Sequence, residues 1–273
     1  MIDIIERAAV ERILVDPASR VPEASVAARD SASPLTVFRA EVSRFVNGAE
    51  HDARRVRLDA LLDGLDPNAL AAAAVRHALA GTPAGRIPVT VLAEALGFTE
   101  ASALPTLVAT VASAYPTGET TDPDAADAAV IALFEASGRT DPDERALRVQ
   151  LLVQAYAATA TLVERALALA RSQDGAVSTR TLLESVLRDD SPVPVTRRLV
   201  PAERGGETLV VLHLDGADCE AAADRPARIL AFGAGPRACP APHHALAIAA
   251  AIVDTLRADA DRDEETVRHA DTR

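Results

Sequence analysis

The chain has 273 residues and a net charge of −12, with 49% hydrophobic residues, 3% aromatic ones and no tryptophan. That length allows one large domain or two small ones, and the charge argues against nucleic acid or an anionic membrane as the main partner. With few rings, the core must come from Ala, Val and Leu, whose small side chains let helices approach closely; all 28 basic residues are arginine.

In chain order the periodicity is mostly helical. Residues 2–14 carry Ile2, Ile5, Ile13 and Leu14 among charges, predicting a short amphipathic helix. Asp3, Glu6 and Arg7 interrupt this start, so it reads as neither a signal peptide nor a membrane anchor, and a cytoplasmic protein is expected. A Pro-, Ser- and Asp-rich loop reaches about Pro34. Helical patterns follow at about 35–46, 51–63 and 67–80, with Asp66-Pro67 as an N-terminal start. Ile87-Pro88 opens another helix ending near Gly97, and a further helix precedes the loop 116–123. Asp124–Ala136 reads as a helix. Asp141-Pro142-Asp143-Glu144 then starts a long one, an acidic first turn that complements the helix dipole and runs to about Arg171. Residues 178–189 make another.

The pattern then changes. Val195–Val200 and Thr208–Leu214 are β-rich runs around Gly205-Gly206 and predict a hairpin. An alanine-rich helix is expected from about His243 to Leu256, followed by a charged tail, 259–273, expected to be disordered. The two cysteines, Cys219 and Cys239, are far apart and form no disulfide framework. With His213, His243 and His244 they also lack the short paired spacing of a structural zinc site.

Between hairpin and last helix stands Phe232-Gly233-Ala234-Gly235-Pro236-Arg237-Ala238-Cys239. A cysteine that ligates iron as a thiolate needs a tight loop with N–H groups turned toward the sulfur. Two glycines supply turn conformations that a side chain would forbid, and Arg237 is placed to pair with an anionic group on the same ligand. The run resembles the cytochrome P450 haem-binding signature Phe-Gly-x-Gly-x-(His/Arg)-x-Cys-x-Gly, missing only the final glycine, where Ala241 stands. The alternative is a glycine-rich loop carrying an ordinary buried cysteine. Upstream, His51 and Arg55 share one helix face at i, i+4 and can converge on one carboxylate. With Gly48-Ala49-Glu50 before them, they resemble the family's C-helix, whose histidine and arginine hold a haem propionate. Arg198 lies in the first hairpin strand, where the family places another propionate-binding arginine. Arg197, its neighbour, points to the opposite face.

The family's distal motif, Ala-Gly-x-(Asp/Glu)-Thr-Thr, is resembled by Ala155-Tyr156-Ala157-Ala158-Thr159. Thr159 is retained, Tyr156 replaces the glycine, and Ala158 replaces the acid that helps deliver protons during dioxygen activation. Tyr156 projects toward the distal face in one reading and packs sideways in the core in the other. The K-helix motif Glu-x-x-Arg keeps Arg188 but has Ser185 at the acid position, so Glu184 is the expected replacement partner. The connection 215–226 is short where the family has a longer meander with a Pro-x-x-Phe element, and 97–144 is abbreviated beside the family's F, G and H helices.

The resemblance is clearest over 45–255. It implies a mainly α, abbreviated P450-like fold with a small β-hairpin, one domain over 1–258, and haem b (iron protoporphyrin IX) bound through Cys239. Phe232, Gly233 and Gly235 would shape the cofactor loop; His51, Arg55, Arg198 and Arg237 would be the propionate contacts; Thr159 and Tyr156 would be the distal residues. It further implies a small-molecule substrate or biosynthetic intermediate, served by a ferredoxin-type redox partner or another partner protein. Two function classes follow: a haem-thiolate enzyme, whether monooxygenase or another haem-dependent catalyst, or a degenerate relative that binds a ligand or partner without turnover.

Overall fold

The computed structural model describes residues 2–24, 32–173, 177–202, 205–222 and 227–271, the side chains at 261 and 263–271 excepted. The chain begins with a strand where the pattern predicts a helix. Ile2–Ile4 form β1, parallel to Val210–Leu212. Glu6 then caps α1, Arg7–Val15, its carboxylate accepting from the N–H groups of Ala8 and Ala9. The expected helix is split because β-branched isoleucines suit a paired strand and the acid supplies a later start.

Helix α2, Pro34–Glu41, also stops short of the expected residue 46. The Ser43 N–H donates to Gln150 Oε1 at 2.9 Å, and Arg54 donates to the carbonyls of Ala40 and Val42 at 2.6 and 2.9 Å. Side chains from elsewhere thus satisfy groups that a continuing helix would have paired. A 3-10 turn, Ser43–Phe45, leads into α3, Gly48–Asp63. Next come α4, Pro67–Leu79, capped by Asp66, and α5, Ile87–Ala95. They are followed by α6, Leu104–Ala114, and α7, Pro123–Ala136. Helix α8, Pro142–Ser172, is the long helix announced by Asp141-Pro142, with 31 residues. Ser178 caps α9, Thr179–Asp189.

Strands β2, Val195–Pro201, and β3, Glu207–His213, form the expected antiparallel hairpin, with Arg198 opposite Val210. Strand β1 adds to the other side of β3, giving the order β1-β3-β2. The final helix, α10, spans Pro242–Asp271. It therefore continues into the charged segment for which the composition predicts disorder, where Arg262 pairs with Asp259 at i, i+3.

Helix α8 runs through the middle of the fold and packs against α3, α5, α6, α9 and α10, while α10 also lies along α4. By length and composition α8 is the one described helix able to cross a membrane, and most of that apolar stretch is buried inside the protein. A second, smaller core joins Val10 and Leu14 of α1 to Val210, Leu212, Leu214 and Leu230, so that α1 is docked against the sheet and the approach to the cysteine loop.

Gly235 is the tightest point of this docking. Its φ is +66°, and a Cβ there would lie 2.8 Å from Val15 Cα and 2.9 Å from the Leu14 carbonyl oxygen. Gly205, at φ +83°, has open space around its missing Cβ. Gly235→Ala is therefore expected to lower the unfolding free energy by about 2 kcal/mol, combining overpacking with left-handed strain. Gly205→Ala, with strain alone, is expected to lose about 1 kcal/mol. Urea denaturation of both variants checks the ordering, and equal losses would contradict the contact with α1.

Candidate functional site

The cysteine loop is built by backbone geometry. Gly233 and Gly235 both have positive φ, at +68° and +66°, and a 3-10 turn spans Gly235–Arg237. The loop closes on itself where the Cys239 N–H donates to the Phe232 carbonyl at 2.7 Å. Burial pushes the Cys239 thiol up, while the Ala241 N–H directed at its sulfur and the Arg55 guanidinium nearby pull it back down. The family's final glycine is thus replaced at a position whose backbone N–H serves the sulfur and whose φ is not positive. Alanine meets both conditions, which explains why this mismatch leaves the loop intact.

Around the loop the structure gathers cations from separate elements. Arg55 of α3 donates to the Ala238 carbonyl at 2.8 Å and pairs with Asp59 at 2.8 Å. Arg237 donates to the Val46 carbonyl at 2.5 Å and to Asn47 Oδ1 at 2.9 Å. His51, buried on α3, has Nδ1 3.1 Å from Asp52. Its pKa is lowered mainly by burial, with Arg237 and Arg55 acting in the same direction and Asp52 opposing them.

Arg198 is the most informative member. It is only 6% exposed, and its guanidinium donates to Thr196 Oγ1 at 3.0 Å and to the Arg197 carbonyl at 2.8 Å, both on its own strand. Burial pushes it down to about 10, and the charges of Arg237 and Arg44 add to that effect; no carboxylate among the described residues offsets it. Arg197 points outward, as alternation predicts. Arg44 was missed by sequence reasoning. It sits in the 3-10 turn before α3, over the Phe45 ring at 5.7 Å, and no periodicity or motif marks it.

On α8, burial is interrupted. Residues 154–158 are all partly exposed, between Val153 at 3% and Thr159 at 4%. Tyr156 is half-buried and packs against the main core, as do Ala155, Phe232 and Ala241. Tyr156 and the cysteine loop therefore border one apolar cluster, although no hydrogen bond among the described residues joins Tyr156 to the loop.

The expected Glu184–Arg188 pair does not form. Arg188 pairs with Asp189, its Nε and a terminal nitrogen donating at 2.9 and 2.6 Å, while Glu184 accepts from Arg180 at 2.8 Å. Both side chains are partly solvated, so no buried charge forces them together. A different arginine anchors this side of the fold. Arg228, in the connection before the cysteine loop, donates to Glu11 of α1 at 2.7 Å, to the buried Asp218 carboxylate at 2.8 and 2.9 Å, and to Glu220 at 2.7 Å. The Arg228 N–H, donating to Asp218, is the leading reason that carboxyl is held below its usual range.

No family model matches the sequence, and no curated protein does so either. Among solved structures, the chain is similar to P450BioI in complex with an acyl carrier protein ligated to hexadec-9Z-enoic acid, with a TM-score of 0.71 and 14% identity over 93% of this chain and 83% of that one. It is also similar to CYP109E1 from Bacillus megaterium in complex with testosterone, with a TM-score of 0.67 and 16% identity over 93% and 83%. A third is CYP154A1 from Streptomyces coelicolor, at 0.60 and 17% over 92% and 82%. At these identities the likeness establishes architecture. The chain has the cytochrome P450 fold.

The two thiols differ in environment, Cys219 being exposed and Cys239 partly buried with a raised pKa. In the protein without added cofactor, iodoacetamide near neutral pH is expected to alkylate Cys219 on the order of ten times faster than Cys239. Raising the pH should accelerate Cys239 as its thiolate forms. Peptide mass spectrometry reads both sites, and equal rates near neutrality would contradict the enclosure of the loop.

Proposed function

We propose that this chain is a haem-thiolate protein, in which Cys239 would ligate the iron of haem b and Arg198, Arg237, Arg55 and His51 would hold its propionates. The observation that carries this reading is the burial of Arg198 without a carboxylate, beside two further arginines. A buried cation of this kind is costly unless an anion completes it, and guanidinium groups suit bidentate carboxylates. The donor set fits the group: a thiol with an N–H on its sulfur, and a buried arginine without counter-charge among the described residues beside further arginines. When bound, haem b supplies the redox chemistry. The chain's own residues do the rest: the Ala241 N–H steadies the thiolate, and the arginines orient and neutralise the propionates. Phe232, Gly233 and Gly235 shape the loop, and Thr159 and Tyr156 border the distal side.

The substrate in this reading is a small organic molecule, with electrons from a ferredoxin-type protein in a monooxygenase or another haem-dependent reaction. P450BioI was captured with a carrier protein, which supports a protein partner for this chain as well. A second reading, ligand or partner binding without turnover, is favoured by Ala158. That position offers no group to move a proton, and acid–base assistance is typically worth about 10²–10⁴ in rate.

The decisive experiment is optical. The purified protein, supplied with haem, is expected to show a thiolate-type Soret band, shifted on reduction under carbon monoxide, and Cys239→Ala is expected to lose it. An identical spectrum in that variant, or no haem uptake by either protein, would overturn the proposal. Arg198→Met gives an independent check. Removing a buried unpaired cation is expected to raise the stability of the haem-free protein by about 1 kcal/mol while weakening haem retention. A loss of haem-free stability would mean that Arg198 serves the fold alone.

A further inference from the structure

Asn47 occupies the N-cap position of α3, yet its side chain does not cap the helix. An asparagine there ordinarily turns its side-chain oxygen onto an N–H of the first turn. Here Gly48 has a φ of +59°, and the Asn47 amide is spent elsewhere. Its Oδ1 accepts from the Val21 N–H at 2.9 Å and from Arg237 Nη2 at 2.9 Å. Its Nδ2 donates to the Val21 carbonyl at 2.9 Å and to Glu23 Oε1 at 2.7 Å. The whole hydrogen-bonding capacity of the group is used. Exchanging its oxygen and nitrogen would set donors against Arg237 and against the Val21 N–H, so the amide has one orientation.

The two bonds to Val21 join segments. Residues 21–24 are tied to the start of α3 a second time by the Ala24 N–H on the Phe45 carbonyl at 3.1 Å, and Arg20 bridges to Leu199 of β2. The bond from Arg237 adds nothing to that union; it acts on the arginine. Arg237 is anchored through Nη2 alone, to Asn47 and to the Val46 carbonyl at 2.5 Å, and its Nε and Nη1 have no acceptor among the described residues. Asp52 and Glu23 lie in its field, but neither is hydrogen-bonded to it, and Glu23 meets the opposite end of the Asn47 amide. An amide between carboxylate and guanidinium orients the cation and leaves the rest of its fork open. An acid in direct contact would fill that fork.

We propose that Asn47 is the positioning residue of Arg237: its carboxamide, fixed by Val21 and Glu23, holds Nη2 so that Nε and Nη1 are left for a carboxylate of the bound porphyrin. The inference rests on the haem-thiolate reading for the identity of that ligand. It makes cofactor retention depend on a residue that acts only through Arg237.

The test follows haem loss from the full chain to excess apomyoglobin in Asn47→Ser, Arg237→Leu and the double variant. Serine is a good N-cap but too short to reach Arg237, so α3 keeps its start. Asn47→Ser is expected to speed haem loss roughly 3–10-fold. In the Arg237→Leu background the same change is expected to alter the rate by less than about twofold, because nothing is left to position. An unchanged rate in Asn47→Ser, or an equal acceleration in both backgrounds, would mean that Asn47 only braces the fold and would overturn the proposal. Should Asn47→Ser fail to fold by circular dichroism, Asn47→Gly removes the same acceptor and is judged by the same pair of rates. If the unmodified protein takes up no haem, the haem-thiolate reading fails on its own. Metal-free protoporphyrin IX, which keeps the carboxylates without the iron, then decides the role of Asn47 by fluorescence titration, with its dimethyl ester as control. Asn47→Ser is expected to weaken binding of the acid and not of the ester. No binding of the acid by the unmodified protein, no loss in the variant, or equal losses for acid and ester would overturn the inference.

Discussion

The packing around α8 is the constraint on which the remaining architecture rests. A 31-residue helix with buried residues from Ala146 to Ala166 needs neighbours on every side, and the composition supplies them in the form of Ala-, Val- and Leu-rich helices. Small side chains permit close axes, so α5, α6, α9 and α10 can all reach it. Aromatic volume is concentrated instead where α2, α6 and α7 meet, with Phe38 against Tyr115 and Phe134. Along the apolar part of α8, burial gives way at residues 154–158.

Charge tells the complementary half. Arg198 and Arg237 are both shifted downward by burial first, and each feels Arg44 as a further like charge. Arg237 has Asp52 and Glu23 within its field, and Arg55 has Asp59; Arg198 has only neutral acceptors from its own strand. A fold selected for stability alone would exchange such a group for an apolar one of similar volume. The proposed anionic ligand would supply the counter-charge that Arg198 lacks among the described residues.

The departures from the P450 pattern fall into two kinds. Ala241 is harmless because the work at that position is done by the backbone. The altered K-helix motif leaves Arg188 paired with Asp189 instead; elsewhere Arg228 takes a central place among Glu11, Asp218 and Glu220, and the Arg7 side chain donates to its carbonyl at 2.5 Å. This network joins α1, the shortened connection and the approach to the cysteine loop, so that Gly235 can press against Leu14 and Val15. At Ala158, where the P450 pattern has an acid, the chain carries no ionisable side chain.

What the sequence by itself determined was local. Asp-Pro starts announced α4 and α8, two glycines announced a loop that needs positive φ, and the Phe232–Cys239 run identified the thiolate candidate, because capping and turn chemistry act between residues a few positions apart. Strand alternation likewise separated Arg198 from Arg197. Tertiary structure decided everything that depends on which elements meet. Ile2–Ile4 became a strand only because β3 offered an edge, and α2 stopped at Glu41 because Gln150 and Arg54 captured its next backbone groups. Glu184 and Arg188 chose other partners because each could remain partly in water. Arg44 and Arg228 carry no motif, and their significance comes from charges contributed by segments distant in the chain. Those distances are set by packing, and packing is not written in the spacing of residues along one element.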